Sequence, residues 1–206
     1  MAEKAFKFLF KDLLGEVGNI CTGSAAYSLS HLLGRKILIN IPDVSILPVD
    51  KLKSQLFPDN PLRGALYFEV TGDMDGSIQI LYDDTAILSL LKAIDGEKQR
   101  TLSQLTVHEI SCLEEVSNIL ACSYLKGISK LTGSRLIPSI PSFAYDYAMP
   151  LIQFALIKQG LSFSQSIVIS TLFSDDGPLN GEILFFPGLQ MKKMLFSKFN
   201  IAVHHG

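Results

Sequence analysis

The sequence predicts an α/β fold of the α+β kind. Two halves are related by a pseudo-two-fold axis, each a long helix, then strands with a hairpin and a further helix, around a mainly antiparallel sheet. Three observations predict it. Sliding the chain by 99 residues lays positions 12–42 on 111–141 without a gap, with 11 identities in 31 positions; unrelated sequences give about two. Each half opens on a long helical pattern. Each half later carries two β-rich segments joined by a turn, and GSIQIL (76–81) resembles GEILFF (181–186) at an offset of 105.

In the first half, Phe10, Leu13, Val17, Ile20 and Cys21 recur at helical spacing and predict a helix over 5–33. Gly34 stands where a helix C-terminal glycine belongs. A β-branched strand over 36–41 is stopped by Pro42. ALYFEVTG (65–72), the turn DMDG and SIQILYD (77–83) read as a hairpin. Asp84 is the expected cap of a helix over 85–94, with Gly96 beyond its end.

The second half repeats the order: a helix over 105–132 closed by Gly133, a strand near 135–140, a hairpin from 162–174 to 181–186, and an amphipathic helix over 189–200. Residues 148–159 fit a helix or a strand. Neither half alone covers both its helix and its hairpin faces. One domain over 1–206 is therefore expected, made of repeats at about 1–99 and 100–206.

Composition narrows the function. Of 206 residues 48% are hydrophobic and 18% charged, with a mean hydropathy of +0.30, too apolar for a disordered chain. The net charge of −2 and the absence of any Lys/Arg block remove the electrostatic footprint of a nucleic-acid binder. No apolar run reaches the roughly 18 residues a membrane helix needs. Lys4, Lys7 and Lys11 interrupt any export-signal core, so a cytoplasmic location is expected. Three cysteines (Cys21, Cys112 and Cys122) without a CxxC pair argue against a disulfide framework and a zinc site. The DMDG turn lacks the later ligands of a calcium loop, and His31 and His108 stand alone.

The two long helices carry a polar stripe. At 100° per residue, Asp12, Glu16 and Asn19 fall within about 60° of arc, with Leu13, Val17 and Ile20 on the core side. Ser111, Glu115 and Asn118 form the same stripe in the second helix. Asn19 precedes Pro42, and Asn118 precedes Pro141, by the same interval. The pattern [D/S]-x3-E-x2-N-x22-P arises by chance on the order of once in 10⁵ starts. A solvated helix face is the plain alternative for an acid and an amide. Such a face has no need to keep Glu and Asn unchanged in both copies, which favours a functional role.

On these residues the sequence resembles the CheC/CheX/FliY family of chemotaxis phosphatases. The motif stands in LLGEVGNICTGSAAYSLSHLLGRKILINIP, just after Asp12, and in CLEEVSNILACSYLKGISKLTGSRLIPSIP, just after Ser111. Length and repeat order most resemble CheC. The resemblance implies a CheC-like fold and hydrolysis of the aspartyl phosphate of CheY, a response regulator, at Glu16/Asn19 and Glu115/Asn118. It also implies that each Glu pairs with a partner lysine. No cofactor is implied on this chain, since Mg²⁺ is supplied by the regulator.

The chemistry suits these residue types. An acyl phosphate is already reactive, so hydrolysis needs mainly a water held in line with the leaving oxygen. An Asn carbonyl can accept a proton from that water while its NH₂ faces the phosphoryl oxygens. Glutamate, with a reference pKa of about 4.3, is a poor general base. Asp12 and Ser111 are expected to orient the Glu or touch the partner, and Pro42 and Pro141 to shape the strand exit. A non-catalytic adaptor binding CheD or flagellar switch components is the competing reading. A duplicated chain is expected to be monomeric.

Overall fold

The structure, a computed structural model, describes residues 26–27, 29–40, 43–47, 49–98, 101–158, 166–191 and 193. The predicted helix over 5–33 is seen at residues 26–27 and 29–33 (α1), and the rest of it lies outside the described residues. Then follow β1 (Ile37–Ile39), β2 (Asp43–Leu47), α2 (Val49–Leu56), β3 (Leu62–Gly72), β4 (Gly76–Tyr82) and α3 (Asp84–Asp95). The second half holds α4 (Val107–Thr132), β5 (Leu136–Pro138), β6 (Ser142–Tyr147), α5 (Ala148–Lys158), β7 (Ser166–Asp175) and β8 (Asn180–Pro187). Of the closing helix, residues 189–191 and 193 are helical and the rest lies outside the described residues.

The α+β class is observed, with every strand pairing antiparallel. The sheet runs β1-β7-β8-β4-β3-β5, with β2 also on β7 and β6 also on β3. Its register is unchanged when the halves are exchanged. Ile37 faces Asp175 and Leu136 faces Gly72. Asp43 faces Ser170 and Ser142 faces Tyr67. At the centre β4 pairs with β8 from Gly76↔Pro187 to Tyr82↔Gly181, which puts the Gln79↔Leu184 pair on the exchange axis.

Three layers result. On one sheet face Phe68, Ile78, Ile80, Tyr82, Phe173 and Phe185 pack against α1, α3 and α4. On the other, Ala65, Leu81, Val168, Leu184 and Phe186 pack against α2 and α5. Because both faces are covered, β4 is buried along its whole length. Gln79 is tolerated there because its Nε2 donates to the Leu151 carbonyl of α5 at 2.6 Å.

The structure corrects or completes several sequence expectations. The cap of α3 is Asp83, not Asp84: its carboxylate accepts from the Ala86 N–H at 2.7 Å. Residues 148–158 are helical, with Ala148, Leu151, Ile152, Ala155 and Leu156 buried. β2, α2 and β6 have no counterpart in the sequence prediction. β2 and β6 are held by partners more than 70 residues away, β7 and β3, which no local pattern shows. Both helix-closing glycines adopt positive φ, Gly34 at 64° and Gly133 at 72°, the left-handed turn that releases each helix into its strand.

Candidate functional site

The second stripe lies on α4, so α4 sets its geometry. Thr106 caps the helix: its side chain accepts from the Glu109 N–H, and the Glu109 carboxylate accepts from the Thr106 N–H at 2.9 Å. The inner face of α4 buries Leu113, Val116, Leu120, Tyr124 and Leu125, each worth about 1.5–3 kcal/mol for the larger side chains. Two polar contacts lock its rotation. The Ser117 hydroxyl shares a 2.9 Å hydrogen bond with the Tyr82 phenol of β4. Thr171 of β7 donates to the Tyr124 phenol oxygen at 3.3 Å. Burial pushes the Tyr82 phenol well above the ordinary tyrosine range, with the Ser117 bond opposing. The phenol is therefore neutral and able to donate.

Ser117 stands between Glu115 and Asn118, and pinning it inward turns its neighbours out. Ser111 and Glu115 are exposed, and Asn118 is half-buried. One turn later the exposed Cys122 donates its thiol to the Asn118 carboxamide oxygen at 3.6 Å. That leaves the amide N–H groups of Asn118 free to face solvent. Burial, then the Glu115 carboxylate, push the Cys122 thiol up, which keeps it in its donating form.

Pro141 is half-buried in the loop between β5 and β6. Asp12, Glu16, Asn19 and Pro42, with Cys21, lie outside the described residues. Of the predicted site residues, Ser111, Glu115 and Asn118 thus share one helix face, and Pro141 follows in the loop after the strand that returns from it. Sequence reasoning missed Ser117, Tyr82 and Cys122 as supports of that face. Ser117 is invisible as a single serine among many. Tyr82 shows only that it ends an apolar strand. Cys122 is four residues from Asn118, the spacing at which helix side chains meet, and that signal was readable.

At the start of α4, His108 Nε2 lies 3.3 Å from the Asp95 carboxylate and 3.8 Å from the Cys112 thiol. Among the described residues no group of three His, Cys, Asp or Glu side chains is arranged to hold a metal ion. Among the same residues no helix is long and apolar enough to cross a membrane.

Residues 10–46 match the CheC-like family. The chain is 27% identical over 190 residues to the CheY-P phosphatase CheC of Bacillus subtilis (strain 168), covering 90% of this chain and 91% of that protein. The fold is similar to the crystal structure of Thermotoga maritima FliY (TM-score 0.69, 22% identity, 92% of this chain and 95% of that one). It is also similar to the Borrelia burgdorferi CheX solved in a CheX–CheY–BeF₃–Mg²⁺ complex (TM-score 0.52, 17% identity, 82% and 96%). The chain is thus similar to CheC along nine-tenths of its length, carries a CheC-like match over residues 10–46, and is alike in fold to FliY and CheX.

Proposed function

We propose that the chain ends chemotaxis signals by hydrolysing the aspartyl phosphate of a CheY-type response regulator. The observation that carries the reading is the outward presentation of Glu115 and Asn118 on one face of α4, in a motif the sequence holds twice. Glu115, and Glu16 in the first half, pair with a lysine of the regulator and set the register. Asn118, and Asn19, hold the attacking water: the carboxamide oxygen accepts from it and the N–H groups face the phosphoryl oxygens. Water oxygen bonds to phosphorus, the bond to the aspartyl oxygen breaks, and inorganic phosphate and a free carboxylate leave. Mg²⁺ belongs to the regulator's own site. Ser111 and Asp12 orient the Glu or touch the regulator, and Pro141 and Pro42 shape the return strand.

This reading includes one cytoplasmic, monomeric domain of two repeats, at about 1–99 and 100–206, with the symmetric strand register in its support. CheD is a further partner. Docking without turnover is the second reading. The half-buried position of Asn118 favours it.

The test is decay of phosphorylated regulator at substoichiometric chain. The double variant Asn19→Ala, Asn118→Ala keeps the fold by circular dichroism and returns the decay to its spontaneous rate. A double variant that still accelerates decay like the parent overturns the Asn assignment. Regulator or CheD binding without turnover by the parent establishes the second reading.

A further inference from the structure

We infer that Lys126 sets the second site apart from the first. With Lys130 behind it, Lys126 draws the anionic, phosphorylated face of a response regulator onto Glu115 and Asn118, and the first site has no lysine at the matching position. The inference rests on the phosphatase reading for the partner's identity. It deepens that reading by making the two sites unequal in their electrostatics.

Lys126 belongs to the site's own helix, so helix geometry places it. Asn118, Cys122, Lys126 and Lys130 stand four residues apart on α4, the spacing that stacks side chains into one row. At 100° per residue Lys126 lies about 20° round the helix from Glu115. Asn118 and Lys126 are separated by a rise of about 12 Å. A helical side chain covers the turn before its own Cα, which carries the Lys126 ammonium toward Asn118. Asn118 is half-buried, and Cys122, Lys126 and Lys130 are exposed.

A lysine that serves only to stabilise a solvated helix gains from an acid three or four residues away. Lys126 has Cys122, Ser123, Ser129 and Lys130 at those places, and the two lysines repel each other. Among the described residues no ion pair involves either of them. Lys130 is accounted for by its place in the last turn, where the helix end favours a cation. Lys126 stands before that turn. At the 99-residue offset the row reads Asn19, Gly23, Tyr27 and His31. Tyr27 is 73% exposed, and its ring lies 6.5 Å from that of His31. The acid and the amide recur between the copies, while the row that continues from them changes from aromatic to lysine.

The partner's chemistry calls for such a charge. A phosphoryl group carries close to two negative charges, and the Mg²⁺ beside it is held by carboxylates. Glu115 adds a negative charge on this side, in a chain of net charge −2. A cation on the same helix face offsets that repulsion and raises the rate of productive encounter. Salt screens the effect over about 8 Å at physiological ionic strength. Lys126 touches no reacting atom, so it steers the regulator and the water stays with Asn118.

The experiment isolates each site in the full chain, with Asn19→Ala leaving the second and Asn118→Ala the first. Hydrolysis of a phosphorylated CheY-type regulator is followed between about 0.01 M and 0.15 M salt, where the Debye length falls from about 30 to 8 Å. Over that range kcat/KM is expected to fall about tenfold for the second site and less than about threefold for the first. Lys126→Glu in the second-site chain lowers the low-salt kcat/KM about tenfold and flattens the salt dependence, with kcat within about twofold. Lys126→Arg keeps the parent's behaviour, and circular dichroism shows both variants folded. A Lys126→Glu chain whose kcat/KM and salt dependence match its parent overturns the inference, as does an equal salt dependence at the two sites. If neither site turns over, the same chains are titrated by calorimetry with regulator activated by beryllofluoride and Mg²⁺. Salt-dependent binding that Lys126→Glu removes then sinks the phosphatase reading and leaves the steering role standing. No binding by the parent sinks both.

Discussion

Two corners of the molecule, where α1 turns into β1 and where α4 turns into β5, occupy equivalent places and are tied down by different chemistry. At the first, Arg35 forms a 2.9 Å ion pair with Asp175 at the end of β7 and donates to Ser89 Oγ at 2.7 Å. At the second, the link is to the turn after β3. The Arg135 N–H donates to the Asp73 carboxylate at 2.7 Å, and the Asp73 N–H donates to the Arg135 carbonyl at 2.9 Å. The strand ends differ too. Asp175 faces Ile37, and its counterpart facing Leu136 is Gly72, at φ 115°. A structural tie keeps its place while its residues change, because an ion pair and a pair of hydrogen bonds from backbone N–H groups can do the same job. Glu16 and Asn19, by contrast, recur unchanged as Glu115 and Asn118. On the proposed function a partner and a water demand particular groups, whereas a corner demands only closure.

The comparison is broken hardest at Gly72. A side chain there has to adopt a φ that L-residues avoid, and its Cβ meets the Arg135 carbonyl. Gly72→Ala is expected to cost about 2–4 kcal/mol in urea unfolding, whereas the equivalent position already accepts an aspartate. An unchanged midpoint contradicts the backbone account.

Asp175→Ala comes next. It removes the ion pair to Arg35 and the carboxylate that accepts from the Gly177 and Leu179 N–H groups. Asp175 is only 2% exposed and Arg35 is 29% exposed, so the stranded guanidinium turns to water and the loss stays near 2 kcal/mol. Unfolding midpoints of Asp175→Ala and Arg35→Ala, set beside the double variant, measure the pair directly.

The smallest effect sharpens the contrast between the two sites. Cys122 has Gly23 as its counterpart at the 99-residue offset. Cys122→Ala frees the Asn118 carboxamide, and turnover by the second site is expected to fall about threefold, given a thiol's weak hydrogen bond. Stability changes by less than about 0.5 kcal/mol, since the position is exposed. Cys122→Ser restores the rate. Equal kcat for the Ala and Ser variants in the Asn19→Ala background removes the thiol from the site.

Much of this was legible because a repeat reads the chain twice. Gly34 and Gly133 and the Glu/Asn stripe emerged from one alignment, and the two hairpins from their shared pattern at a second offset. What escaped was structure held from afar. β2 has only five residues, DVSIL, and is defined by pairing with β7. β6 alternates only partly and leans on β3. Residues 148–159 were ambiguous because α5 is apolar over most of its length, which blurs helical periodicity. In the site, the motif named the acid and the amide, but the Tyr82–Ser117 bond that turns them outward joins residues 35 apart.

The interlocked sheet also governs how the chain comes to be folded. Among the described residues β1 and β2 find their neighbour in β7, whose paired residues follow theirs by more than a hundred positions. Among the described residues only the β3–β4 and β7–β8 hairpins close locally. As the polypeptide leaves the ribosome, the first repeat waits with unpaired strand edges until nearly the whole sequence has emerged. Topologies of this kind assemble slowly and are exposed to aggregation in the interval.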